Sequence, residues 1–175
     1  HRVELLHLGI AHTHGDGFAW LPKEKILFTG DACVNGPYNY VGDGNVGQWI
    51  KTLDVAKELG AKIICPGHGP AGTAQMLQDQ QDYFVALRQE VQKLMNAGKK
   101  SEEVRAAIED LRTQIKARDR IGRYVGDMFP GQVEKVFVEL GGKGWSAVSP
   151  ADEHFQRAET REQQSRTGVL GRRRK

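Results

Sequence analysis

A mixed α/β fold is predicted by three features of the chain. Short apolar runs of strand length, VELLHL (3–8), FAWL (18–21) and KILFT (25–29), alternate with turn-forming residues. A helical stripe over 46–59 then leads into a second strand-like run, AKIIC (61–65), which makes a strand–helix–strand unit. From Thr73 onward the apolar residues recur every three or four positions, the spacing of helices that bury one face.

Taken in order, residues 3–8 read as a strand leading into a histidine-bearing loop. FAWL and KILFT are separated by Pro22, Lys23 and Glu24, a hairpin signature. The loop 35–45 is polar and rich in glycine and tyrosine, so no regular element is expected there. Trp49, Ile50, Leu53, Ala56 and Leu59 mark the next helix, with Gly60 as its stop. Its length suits a crossover between parallel strands.

A long helix is expected from Thr73 to Ala97, with Leu77, Phe84, Leu87, Val91 and Leu94 on one stripe. Ser101 reads as the cap of another, followed by Glu102 and Glu103 and by the apolar Val104, Ile108, Leu111 and Ile115. A third begins near Pro130 and carries Val133, Val136, Phe137 and Leu140 up to Gly141-Gly142. The domain reading is therefore one partial domain over 1–150, with a motif region at 3–72 and a helical region at 73–141. A basic, disordered tail at 151–175 is expected to follow it.

The composition narrows the function classes. With 175 residues and 39% hydrophobic content, the chain supports one core. No run reaches the roughly 18 apolar residues of a membrane span, so none is expected. The net charge of +3 resides in residues 151–175, which hold seven Lys/Arg against four Asp/Glu, while 1–150 balances. Such a tail is read as solvated, and nucleic acid is not expected as a partner. The start at His1, without methionine and almost directly in an apolar run, reads as a fragment or processed product. Cys33 and Cys65 do not make a disulfide framework; each lies beside a motif, where a buried thiol is the commoner role and a ligand the rarer one. They leave the compartment open, with the cytoplasm favoured over the periplasm.

Three motifs carry the chemistry: AHTHGD (11–16), FTGDACVNG (28–36) and CPGHGP (65–70). Each sets a metal-competent residue, His12, Asp31 or His68, beside glycines at the end of a strand-like run. Imidazole nitrogen and carboxylate oxygen are zinc donors, and strand-end loops are where a scaffold can aim them at one point. No G-x-S-x-G element, P-loop or G-x-G-x-x-G turn is present.

In their order and flanks these motifs resemble the second half of a metallo-β-lactamase-fold hydrolase. The resemblance covers about residues 3–72. It implies the C-terminal half of an αββα metallo-β-lactamase-type sandwich with additional C-terminal helices, the first H-x-H-x-D-H motif being absent. It further implies that His12 is a ligand of a first metal, Asp31 the bridging and catalytic carboxylate, and His68 a ligand of a second metal. The implied cofactor is zinc, two ions in the complete enzyme, with iron or manganese as alternatives. The implied partners are a small-molecule substrate and a complementing N-terminal half.

A rival alignment remains open: HTHGDG (12–17) nearly matches the H-x-H-x-D-H cluster itself, with Gly17 in place of its last histidine. The strand hairpin that follows, where that cluster is ordinarily succeeded by a helix, favours the first assignment. His14 is then a rim histidine or a substrate contact, and Asp16 either orients an imidazole or shapes a turn. Tyr38, Asn39 and Tyr40 either line a substrate cleft or anchor their loop. The function expected is a metal-dependent hydrolase acting on an ester, thioester or lactam, inactive without the missing half. A non-catalytic module with a degenerate site is the competing expectation.

Overall fold

The computed structural model describes residues 1–146; the tail expected at 151–175 lies outside the described residues. The chain opens with β1 (Glu4–Leu6), β2 (Phe18–Leu21) and β3 (Ile26–Gly30), an antiparallel meander. The turn between β2 and β3 runs through Pro22–Lys25, as the hairpin reading anticipated. Helix α1 (Val46–Glu58) then crosses over to β4 (Ile63–Pro66), which pairs parallel with β3. A two-residue β5 (Gly72–Thr73) closes the sheet against β4 in antiparallel sense, giving the order β1-β2-β3-β4-β5.

The helical region comprises α2 (Gln75–Asn96), α3 (Ser101–Ala106), α4 (Ile108–Lys116), a 3-10 turn at Gly122–Tyr124, and α5 (Phe129–Glu139). Three details depart from expectation. Thr73 belongs to β5 rather than to the long helix, because Ile63 and Ile64 offer it a strand partner. Ser101 does not cap its helix. Lys100 holds the cap position, its N–H donates to Glu103 Oε2 at 3.0 Å, and the Ser101 hydroxyl bonds to the Lys143 carbonyl instead. The helix read through Ile115 also breaks at Ala107, giving α3 and α4.

Residues 1–145 form one compact unit around one core. Alternation along the strands turns Phe18, Trp20, Leu27 and Ile64 inward, where they meet Trp49 and Leu53 of α1 and Leu77, Phe84 and Leu87 of α2. Phe129, Val133 and Val136 of α5 join the same core. Residues of the opposite parity point away from it. Leu5, Ala19, Phe28 and Cys65 stand in register across four strands on the outward face. Leu5 is 84% exposed and Phe28 45%, and the neighbouring Ile63 is 44% exposed. Among the described residues the sheet is therefore apolar on both faces but covered by helices on one.

Polar contacts tie the helices together. Gln81 Nε2 donates to the Ile50 carbonyl at 2.9 Å and to Asp54 Oδ1 at 2.7 Å, linking α2 to α1. Glu90 is nearly buried on α2, and its carboxylate accepts from Lys93 Nζ at 3.0 Å and from the Arg118 guanidinium. Burial pushes this carboxyl up, and the hydrogen bonds from Lys93 and Arg118 overcome that and hold it below the usual glutamate range. A carboxyl lowered in the folded state contributes stability above its unfolded pKa and loses it as pH falls through the folded value. Glu90→Gln is therefore expected to lower stability near neutral pH, with the gap to the parent closing toward acid. Denaturant titrations across the pH range check this; a gap that stays constant would contradict it.

Candidate functional site

Topology brings the three motif residues to one end of the sheet. Since β1 and β3 each pair antiparallel with β2, and β3 pairs parallel with β4, the strands β1, β3 and β4 all run the same way. Their C-terminal ends share an edge, and His12, Asp31 and His68 each follow one of them. Asp31 lies between the two imidazoles: its Oδ2 is 3.8 Å from His12 Nε2, and its Oδ1 is 3.4 Å from His68 Nε2.

Each side chain is aimed by a local device. A register irregularity between Phe28 and Gly30, with Gly30 in the left-handed region at φ 51°, turns the chain out of β3 just before Asp31. Gly67 then passes against that turn. Its N–H donates to the Gly30 carbonyl at 2.8 Å, and a Cβ at this position would lie 2.0 Å from Asp31 Oδ1 and 2.8 Å from Asp31 N. The His68 carbonyl accepts from Asn35 N at 2.8 Å, and Asn35 Nδ2 donates to the Pro70 carbonyl at 2.8 Å. These bonds hold the His68 loop against the segment that follows Asp31.

His12 is held at its other nitrogen. Nδ1 donates to the Tyr40 carbonyl at 3.0 Å, a pairing that leaves the Nε2 lone pair facing Asp31 and available to a cation. The edges of Tyr40 and Trp49 flank the ring, with centroids 5.8 Å and 6.0 Å away. Tyr38 stacks on His68 at 5.4 Å. Tyr38 and Tyr40 are each 46% exposed, so both phenols stand at the solvent side of the cluster. Asp16 Oδ2 accepts from Thr13 N at 2.7 Å and so shapes the turn after His12, while its carbonyl accepts from His7 Nδ1. His14 lies half-buried in that same turn.

The cysteines separate in environment. Cys33 is fully buried, and burial pushes its thiol up to about 12, which disfavours the thiolate a metal would need. Cys65 is half-buried on the outward face of the sheet.

Several residues that build the site gave no motif signal. Gln80, fully buried on α2, accepts from Val34 N at 2.7 Å and so supports the segment after Asp31. Trp49 Nε1 donates to the Ala32 carbonyl at 2.7 Å, joining α1 to the same segment. The available signal was a polar residue at a core position: Gln80 lies three residues after Leu77 and four before Phe84, inside the apolar stripe.

Two donors on one tetrahedral zinc, each at about 2.0–2.1 Å, lie about 3.3 Å apart. The two Asp31–histidine separations are near that spacing, and the donor types suit zinc. Yet no group of three or more His, Cys, Asp or Glu among the described residues is disposed to hold a metal ion. The donor chemistry fits a metal; the number of donors falls short.

The family model of the metallo-beta-lactamase superfamily matches residues 1–68, a span that contains His12 and Asp31 and ends on His68. Among solved structures, the DIM-1 metallo-beta-lactamase exposed to ceftazidime is 30% identical over 46% of this chain and 39% of its own, with a TM-score of 0.43. VMB-1 at pH 5.5 is 31% identical over 48% of this chain and 41% of its own, with a TM-score of 0.44. The metallo-beta-lactamase from Pontibacter korlensis is 24% identical over 47% and 40%, with a TM-score of 0.45. The chain spans about two-fifths of the length of these structures. No curated protein matches it significantly.

A side chain at position 67 would have to displace backbone as well as the Asp31 carboxylate. Gly67→Ala is expected to cost on the order of 1–3 kcal/mol and to shift the backbone amide resonances of Asp31 and His68. A variant as stable as the parent, with those resonances unmoved, would contradict the close approach.

Proposed function

We propose that this chain provides part of the metal centre of a metal-dependent hydrolase, with His12, Asp31 and His68 as ligands. The remaining donors come from a further segment that carries an H-x-H-x-D-H cluster. The observation that carries this reading is the placement of Asp31, whose two carboxylate oxygens face two different imidazoles at 3.8 Å and 3.4 Å. A carboxylate so placed suits two ions, because each oxygen can serve a different one. The superfamily match over the span holding all three residues supports the same reading.

Zinc bound here would supply a hydroxide nucleophile and a Lewis acid for the carbonyl of an ester, thioester or lactam, with thioesters placed first on breadth of occurrence. Iron or manganese would suit the same donors less well than zinc. The chain's own residues do the positioning. The Tyr40 carbonyl keeps the His12 proton on Nδ1 and its Nε2 free, and the Gly67 approach holds the Asp31 carboxylate beside His68. Tyr38 and Tyr40 stand where a small-molecule substrate would reach the site, and His14 lies in the adjoining turn. The outward-facing apolar row Leu5, Ala19, Phe28 and Cys65 is the kind of surface a second sheet covers in a sandwich, which supports a complementing segment with strands of its own.

The lack of any three-donor group among the described residues favours a second reading, a non-catalytic module with a degenerate site. Zinc titration with and without a supplied N-terminal half bearing H-x-H-x-D-H separates the two. The hydrolase reading expects weak zinc binding by the chain alone. On complementation it expects stoichiometric zinc and hydrolysis of a thioester or lactam, both lost in Asp31→Asn and His68→Ala. No gain in zinc or turnover on complementation would leave the module reading in possession.

A further inference from the structure

Three side chains of α5 reach the segment that runs from the loop into the start of α1. Gln132, Lys135 and Glu139 are three and four residues apart, so they lie on one side of the helix. Gln132 Nε2 donates to the Asn39 carbonyl at 2.5 Å, and Lys135 Nζ donates to the Gly42 carbonyl at 2.9 Å. Glu139 Oε1 accepts from Val46 N at 2.7 Å, and its Oε2 accepts from Gly47 N at 3.1 Å and from Arg88 Nη1 at 2.8 Å. The first two bonds grip the loop; the Glu139 carboxylate seals the N-terminal end of α1, where free N–H groups favour an anion.

The gripped segment, residues 39–47, touches the His12 motif at two places. The Tyr40 carbonyl accepts from His12 Nδ1, and Asn45 N donates to the Ala11 carbonyl at 3.3 Å. Gly44 lies so close that a Cβ there would sit 2.0 Å from the Ala11 oxygen. Within the segment Gly44 N donates to the Val41 carbonyl at 3.4 Å, and Asn45 Oδ1 caps α1 by accepting from Gln48 N at 2.8 Å; the Asn39 end has no such bond from its own side chain. Asn39 is fully buried, and its Nδ2 and Oδ1 have no hydrogen-bond partner among the described residues, so its own side chain contributes no anchor. What fixes the loop at this point is Gln132, itself 1% exposed and held by the Tyr83 hydroxyl.

We propose that α5 is a positioning element for the candidate site: Gln132, Lys135 and Glu139 fix the 39–47 segment, and its Tyr40 carbonyl thereby fixes the His12 ring and keeps its proton on Nδ1. None of the three contacts reacting atoms; they act through the loop. This element lies beyond the span matched by the superfamily model, so the helical region does more than fill the core. The inference rests on the reading of His12 as a donor only for its functional meaning; the orientation itself is testable without metal.

The test is a long-range proton–nitrogen spectrum of the metal-free, nitrogen-15-labelled chain at about pH 8, above the ordinary histidine range. The parent is expected to show His12 as the Nδ1-protonated tautomer. Gln132→Met with Lys135→Met is expected to move it to the tautomer mixture of a solvated imidazole, while Lys135→Arg keeps the parent pattern. In the complemented protein the double variant is expected to bind zinc 10-fold to 100-fold more weakly, as loss of an orienting partner does. A double variant that unfolds at lower temperature but keeps the parent tautomer would overturn the proposal, leaving α5 a packing helix. If the double variant fails to fold, Lys135→Met alone decides, since that half-buried lysine contributes no core packing. If no zinc binds even on complementation, the hydrolase reading fails while the tautomer result still stands or falls by itself.

Discussion

The parallel pairing of β3 with β4 is the constraint on which the site rests. It brings two loops distant in sequence to the same edge, and the absence of a side chain at Gly67 lets them close until its N–H reaches the Gly30 carbonyl. Any larger residue would occupy the volume of the Asp31 carboxylate. Parallel strands need a crossover, and α1 supplies it, so the helix that makes the pairing topologically feasible also borders the site. Through Trp49 it donates to the carbonyl after Asp31 and presents a ring edge to His12. Core packing and site geometry are thus joined in one side chain.

The helices are not equal in their relation to that edge. α2 sends Leu77, Tyr83, Phe84, Leu87 and Val91 into the core, yet it also places Gln80 against the segment following Asp31. α5 reaches a later stretch of the same loop system, at Asn39 and Gly42. The segment between Asp31 and α1 has no regular structure of its own, and it is held by side chains sent from helices 46 and 93 residues later in the chain. A loop fixed in this way can carry exposed phenols at Tyr38 and Tyr40 without losing its course.

Much of this was legible beforehand. The strand runs 18–21 and 25–29, the helix from Val46 and the strand into Pro66 follow from apolar periodicity bounded by turn residues. The three motifs marked the edge at which His12, Asp31 and His68 gather. What escaped was non-local. β5 exists because Ile63 and Ile64 present an edge to Gly72 and Thr73, a pair too short to read as a strand by itself. The break at Ala107 and the cap at Lys100 leave no trace in the apolar stripe. Gln132 and Glu139 look like ordinary helix residues until the fold shows what they reach. Polar residues embedded in an apolar stripe were the one clue, and it names no partner.

The contrast between the two thiols has a practical consequence. Cys33 sits at the centre of the fold with its proton firmly held, whereas Cys65 stands on the outward side of the sheet beside Phe28. A thiol-directed fluorophore will therefore attach at one place without mutagenesis. Its emission colour, set by local polarity, makes that cysteine a built-in reporter of whether the outward face of the sheet meets water or another polypeptide.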